Sequence, residues 1–171
     1  ILIWELEQGR IERTLKEHTD AVHDVRFDPA GRRLLSVSGD RTAKLWDLAA
    51  GKRLVTGSDS TAELYAGSFS PDGRQVIAAG VDRSIRVWDE AASLQTTVLA
   101  HQGPITHLLL SPAGDSLLTA SEDRVVKLWS WPALRPLGVW KPRSDWPLAL
   151  AIHPDGQRVA VGVHDGSLSI V

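Results

Sequence analysis

"DRTAKLWD" at residues 40–47 returns as "DRSIRVWD" at 82–89 and as "DRVVKLWS" at 123–130. The tryptophans near the ends of these phrases fix a period. Trp4, Trp46, Trp88 and Trp129 stand 42, 42 and 41 residues apart, and Val171 fills the slot 42 residues further on. Four other marks keep the same phase: Asp40, Asp82, Asp123 and Asp165; Pro29, Pro71, Pro112 and Pro154; Gly31, Gly73, Gly114 and Gly156; and Phe27, Phe69, Leu110 and Ile152. Self-similarity at such a period marks a repeat architecture, in which one supersecondary unit is used several times.

Inside each unit the chemistry is that of strands and tight turns. "DPAG", "SPDG", "SPAG" and "HPDG" place Pro, whose φ is fixed, two residues before Gly, which tolerates positive φ, and apolar runs lie on both sides. Each is expected to be a hairpin turn. The runs after it, "RRLLSVS", "RQVIAAG", "DSLLTAS" and "QRVAVGV", have the aliphatic content of strands covered on both faces. The runs ending in Trp alternate. Ala43 and Leu45, Ile85 and Val87, Val126 and Leu128, Leu168 and Ile170 share one face, while Lys44, Arg86 and Lys127 share the other with the Trp. No segment has convincing helical periodicity.

The bulk numbers narrow the function classes. The chain has 171 residues, 43% of them hydrophobic, and no apolar run approaches the roughly 18 residues of a membrane span. A chain that stays in water, in the cytoplasm, is expected. With 19 basic against 21 acidic residues there is no large positive field to hold a phosphate backbone, so neither nucleic acid nor membrane is an expected partner. The absence of cysteine excludes disulfides and thiolate metal sites. There is no methionine either, and the chain opens on Ile1 without a signal peptide, which reads as a piece of a longer chain or a processed product.

Period, turn and strand pattern together resemble the WD-repeat β-propellers. The family's unit has a His near its start, an inner strand, a Pro-x-Gly turn, a second strand, an Asp turn and a third strand ending in Trp-Asp. The resemblance covers essentially the whole chain. It implies an all-β fold of four-stranded antiparallel blades, about four of them, forming a whole ring of four or part of a ring of seven or eight. One domain, 1–171, would then comprise the end of one blade at 1–17, full blades at 18–57, 58–100 and 101–141, and an incomplete blade at 142–171. In the first segment the third strand is expected at Ile1 to Trp4 and the outer strand at about Arg10 to Leu15.

His18, Ser36 and Asp40 are the residue types of a nucleophilic hydrolase. The same set recurs as His101, Thr119 and Asp123 at identical spacing, followed six residues later by Trp129 as Asp40 is by Trp46. A reaction centre rarely needs an indole locked to each copy; a brace does, because a buried Trp N–H requires an acceptor. The resemblance likewise implies a buried hydrogen-bond chain of His, Ser or Thr, Asp and Trp. Alternate units depart from it. Ser60 and Ala78 stand at the His and hydroxyl positions of the second unit, and Arg143 and Val161, with Val171 for Trp, in the fourth, so those two blades are expected to lack the full brace and Ser60 to be dispensable.

The remaining candidates point away from chemistry. His23, His153 and His164 have no carboxylate at metal-ligand spacing, and the 14 glycines sit mostly at turns and strand ends, so neither a metal nor a cofactor is expected. Arg41, Arg83 and Arg124 follow the turn Asp and read as solvated turn residues, or as a ring facing an acidic partner. The segment "SWPALRPLGVWKPRSDWP" at 130–147 reads as an outer strand that Pro132, Pro136 and Pro142 break or confine to an edge, with Trp131 and Trp140 covering the flank.

In the resembling family, partners dock on the face built from the leading loops and Asp turns, at the positions three and five residues after the His slot and the one before the turn Asp. Carried onto this chain these are Ala21 and His23, Glu63 and Tyr65, Pro104 and Thr106, Trp146 and Leu148, together with Gly39, Val81, Glu122 and His164. Tyr65 and Trp146 are the expected anchors, since Tyr and Trp dominate interfaces. Three function classes follow: a scaffold binding a protein or peptide, a structural homo-oligomer whose blades complete a ring between subunits, and, against the sequence, a propeller enzyme.

Overall fold

A computed structural model describes residues 1–141 and 145–170, so the slots of Pro142, Arg143 and Val171 lie outside the described residues. Among the described residues there are seventeen β-strands and no helix. A leading pair, β1 (Leu2–Glu5) and β2 (Arg10–Thr14), precedes three four-stranded sheets. The first comprises β3 (Val22–Phe27), β4 (Arg33–Ser38), β5 (Ala43–Asp47) and β6 (Lys52–Gly57). The second runs through β7 (Leu64–Phe69), β8 (Gln75–Gly80), β9 (Ser84–Asp89) and β10 (Leu94–Leu99). The third holds β11 (Ile105–Leu110), β12 (Ser116–Ser121), β13 (Val125–Ser130) and β14 (Pro136–Trp140). A sheet of β15 (Pro147–Ile152), β16 (Val159–Val163) and β17 (Leu168–Ile170) follows. Every sheet is an antiparallel meander of sequence neighbours, that is, a blade.

The hairpins form where the turn chemistry demands. Gly31, Gly73, Gly114 and Gly156 take φ of 65°, 71°, 73° and 72°, and in the first turn the Gly31 N–H closes on the Asp28 carbonyl at 2.9 Å. Arg41, Arg83 and Arg124 are also left-handed, at 68°, 68° and 65°, and Gly166 fills the same slot in the fourth unit at 86°. The exposed arginines therefore stand where the Asp turn needs a left-handed residue.

Strands β4, β8 and β12 are buried along almost their whole length because each lies between two strands of its own sheet and between neighbouring blades. The inner strands β3, β7, β11 and β15 pack in succession. Leu35, Val37, Ala43 and Leu45 of the first full blade bury against Leu64, Phe69, Val76 and Trp88 of the second. Ile77, Ile85 and Val87 do the same against Ile105, Leu108 and Leu117 of the third. Each such aliphatic side chain contributes about 1.5–3 kcal/mol when fully buried.

Arg33 ties the first junction. Its guanidinium pairs with Asp28 at 2.9 Å, then crosses to the next blade, reaching Glu90 at 2.9 Å, the Gly73 carbonyl at 2.6 Å and the Phe69 ring at 5.7 Å.

Three details add to the sequence reading. β2 ends at Thr14, and Leu15 is buried with Leu34 and Trp46. The proline-rich outer strand forms at the sheet edge: β14 starts at Pro136, which pairs with Trp129, and the ladder to β13 slips by one residue past Leu137. Trp131 and Trp140 are partly buried in two different core clusters. Finally, β3 and β15, which a closed ring of four would press together, leave Phe27 and Leu148 exposed.

Candidate functional site

In the first full blade, neutral His18 donates from Nδ1 to Asp40 Oδ2 at 2.7 Å and accepts at Nε2 from the Ser36 hydroxyl at 2.7 Å, while Ser36 Oγ accepts the Trp46 indole N–H at 2.8 Å; the proton positions are assigned from these partners. The third full blade repeats it: His101 to Asp123 at 3.0 Å, to Thr119 at 2.8 Å, and Trp129 to Thr119 at 2.9 Å. The Asp of each set also accepts the backbone N–H after the His, from Thr19 and Gln102, which ties the leading loop to the Asp turn.

This geometry decides between brace and triad. The His and carboxylate are spaced as for proton transfer, but Ser36 and Thr119 have 0% exposure and their oxygens are already engaged by an indole. A nucleophile that meets no solvent meets no substrate.

Electrostatics agree with a static role. Burial lowers the pKa of His18 and of His101, outweighing the carboxylate beside each, so both rings rest neutral. Burial pushes the Asp40 carboxyl up, yet the hydrogen bonds from Thr42, His18 and the Thr19 N–H prevail and hold it at about 2.

The second blade satisfies its indole in another way. Lacking the hydroxyl at Ala78, Trp88 gives its indole N–H to Asp59 Oδ2 at 2.7 Å. The turn carboxylate of Asp82 is met by Arg86 Nη1 at 2.5 Å, an ion pair without directed hydrogen-bond geometry, and by Ser60 Oγ at 3.3 Å. Ser60 is buried and donates to the Ala62 carbonyl at 2.7 Å. A carboxylate next to a slot that lacks His was the signal for Asp59. In the fourth blade Val161 is buried at the hydroxyl position, and the Arg143 and Val171 slots lie outside the described residues.

The face carrying the leading loops has its own regularity. In each inner strand the ladder to the second strand slips by one residue, and the residue skipped is His23, Tyr65, Thr106 or Leu148. These are the positions five after the His slot. A bulge frees a side chain from the alternation of the strand and re-aims it.

One backbone bond per blade holds the other two kinds of position together. The N–H before the turn Asp donates to the carbonyl three after the slot, Gly39 to Ala21, Val81 to Glu63, Glu122 to Pro104 and His164 to Trp146, at 2.9, 2.9, 3.0 and 3.1 Å.

Side chains gather there in two groups. His23 lies 3.7 Å from the Glu63 carboxylate and edge-on to the Tyr65 ring at 4.9 Å. Burial raises the Tyr65 pKa, and the charges of Glu63 and then Glu122, from the next blade, add to it. In the fourth blade Trp146, 37% exposed, stacks edge-on with His164 at 5.2 Å, and His164 reaches Asp145 at 3.2 Å. Leu148 is 51% exposed beside them. Thr106 turns its hydroxyl back to the Ala120 carbonyl at 3.3 Å. Among the described residues no group of three His, Asp or Glu side chains is placed to hold a metal ion.

The sequence matches the family description "WD domain, G-beta repeat" at residues 9–47, 64–89, 92–130 and 134–171. The chain belongs to the WD-repeat family. Its blades, braces and Asp turns are those of a WD40 propeller, and chains of this family are typically scaffolds without catalysis. Over 99% of its length it is 32% identical to autophagy-related protein 16 of Arabidopsis thaliana, of which it covers 34%. It is 33% identical over 44% of its length to the periodic tryptophan protein 2 homolog of Schizosaccharomyces pombe, covering 9% of that protein. With human WD repeat and FYVE domain-containing protein 1 the identity is 30%, over 44% of this chain and 19% of that one. The WD40 chain thus spans about a third or less of the relatives it matches.

Proposed function

We propose that this WD40 chain is a recognition module that docks a protein or peptide partner on the face of its leading loops and Asp turns, with Tyr65 and Trp146 as anchors. The observation that carries the reading is the row of bulges. A ladder slip at the same place in four blades weakens pairing at that point and presents His23, Tyr65, Thr106 and Leu148 to one face. Tyr and Trp bury large area at small entropic cost, and each here is steadied by a histidine edge, so little ordering remains to oppose binding. The test is capture of a partner from lysate on the immobilised chain. Tyr65→Ala and Trp146→Ala should lose it while keeping the melting temperature, and retention by both contradicts the reading.

A second reading, assembly between copies, is favoured by one observation. Val22, Val25 and Phe27 on β3, and Leu168 and Ile170 on β17, are exposed at the two ends of the row of blades. Faces of this kind bury elsewhere in the chain against a neighbouring blade. Light scattering across a concentration series decides it: a mass that doubles supports assembly, and a constant monomer contradicts it.

A further inference from the structure

We propose, resting on the docking reading, that the stretch of face from the first to the third full blade takes a cationic side chain, Lys or Arg, of a basic peptide. The carboxylates of Glu63 and Glu122 would hold the charge beside the Tyr65 ring. The chain as a whole is nearly balanced, with 19 basic residues against 21 acidic. Its face positions are not: across the four blades they include Glu63 and Glu122 and no Lys or Arg.

Backbone geometry sets the two carboxylates in place. The Glu63 carbonyl accepts the Val81 N–H at 2.9 Å and lies so close over Gly80 that a Cβ there would collide with it. The Glu122 N–H donates to the Pro104 carbonyl at 3.0 Å, which fixes the root of its side chain on the next Asp turn. Both side chains reach water: that of Glu63 is 49% exposed, and Glu122 is exposed. In the first full blade Asp20 continues the arc. A Cβ built on Gly39 would meet Asp20 Oδ2 at 3.2 Å and His23 Nε2 at 3.4 Å, so these two side chains converge over that glycine.

Among the described residues no Lys or Arg forms an ion pair with Asp20, Glu63 or Glu122. His23 comes within 3.7 Å of Glu63, longer than a hydrogen bond, so the carboxylate keeps its lone pairs for another donor. The arginines nearest in sequence, Arg41, Arg83 and Arg124, are exposed at the turn tips. Burial raises the Tyr65 pKa first, and the further rise from Glu63 and Glu122 means that both charges reach the polar end of the same ring. An aromatic ring beside two carboxylates attracts a cation twice, through the ring quadrupole and through charge-assisted hydrogen bonds. An acidic segment would meet like charge, and an apolar one would desolvate the carboxylates without pairing them.

The probe is a set of short resin-bound peptides with randomised flanks and a central residue fixed as Arg, Lys, Glu or Ala, read by binding of the labelled 171-residue chain. The Arg or the Lys set should bind best and weaken as salt rises. Glu63→Gln and Glu122→Gln change side chains that reach water; each should weaken that binding about three- to fivefold, and together at least about tenfold. Glu7→Gln, between β1 and β2 at the end of the strands away from the leading loops, should leave it unchanged. Wild-type binding of the basic sets by the double Gln variant overturns the inference. So does a preference for the Glu or Ala set, or no binding to any set. The docking reading is judged separately, by lysate capture: capture that fails in Tyr65→Ala and Trp146→Ala but persists undiminished in the double Gln variant leaves a docking face without this cation site.

Discussion

Trp88 gives its indole N–H to Asp59 Oδ2, whereas Trp46, 42 residues earlier at the equivalent position, gives its own to Ser36 Oγ. Two successive blades thus satisfy the same buried donor from opposite sides, one from the second strand and one from the leading loop. The requirement that is constant is an acceptor for a buried N–H, not a particular residue. Asp59→Ala should therefore destabilise the chain by about 1–3 kcal/mol, the cost of leaving a buried donor unpaired. A urea midpoint equal to wild type contradicts the assignment.

His101→Ala removes the hub of a buried chain: the Thr119 hydroxyl loses the acceptor for its proton and the Asp123 carboxylate loses one of its donors. It should cost about 1–3 kcal/mol, against about 1 kcal/mol for Ser60→Ala, which loses a neutral bond to the Ala62 carbonyl. Urea denaturation of the two variants gives the comparison, and equal shifts of the midpoint speak against a tetrad at His101.

Both brace histidines have folded pKa values below the ordinary 6.5, set by burial. The unfolded chain therefore takes up the protons first, and stability falls as pH drops through 6.5 towards the depressed folded values. The carboxylates act in a lower window. The contribution of Asp40 is present above 3.8 and is lost as pH falls from there to about 2. Melting temperature measured from pH 8 to pH 4 should decline below about 6.5, and His101→Ala should flatten that part of the curve. An unchanged slope in the variant would count against neutral, buried histidines.

Arg33 and Arg158 are repeat equivalents in different surroundings. Arg33→Ala breaks a link to Asp28, Glu90 and the Gly73 carbonyl across two blades and should cost about 2 kcal/mol. Arg158 is 58% exposed and pairs only locally, so Arg158→Ala should change stability by less than about 0.5 kcal/mol. Calorimetry of both variants reports the ratio, and similar losses contradict a junction role for Arg33.

The blades were legible in the sequence because period, turn glycines and the Trp phase all report local structure. The tetrads were legible because their members recur at fixed spacing. What escaped depends on neighbours in space. Asp59 carries no repeat signal, since Glu17 and Ala100 occupy its slot in other units. The reach of Arg33 depends on the blade beside it. The bulge at Tyr65 is a break in pairing register, which a strand pattern of period two does not encode. The left-handed turn arginines could have been found by aligning them with Gly166, the residue type that such a φ favours.

Binding at the bulged face should be separable from folding. Its most direct measurement pairs partner capture with thermal melting for wild type, Tyr65→Ala, Trp146→Ala and, as a control away from the face, Leu54→Ala on the exposed outer strand β6. Both face variants should lose capture at unchanged melting temperature while the Leu54 variant keeps it. Capture that survives in both face variants, or that fails only when the chain has unfolded, contradicts this expectation.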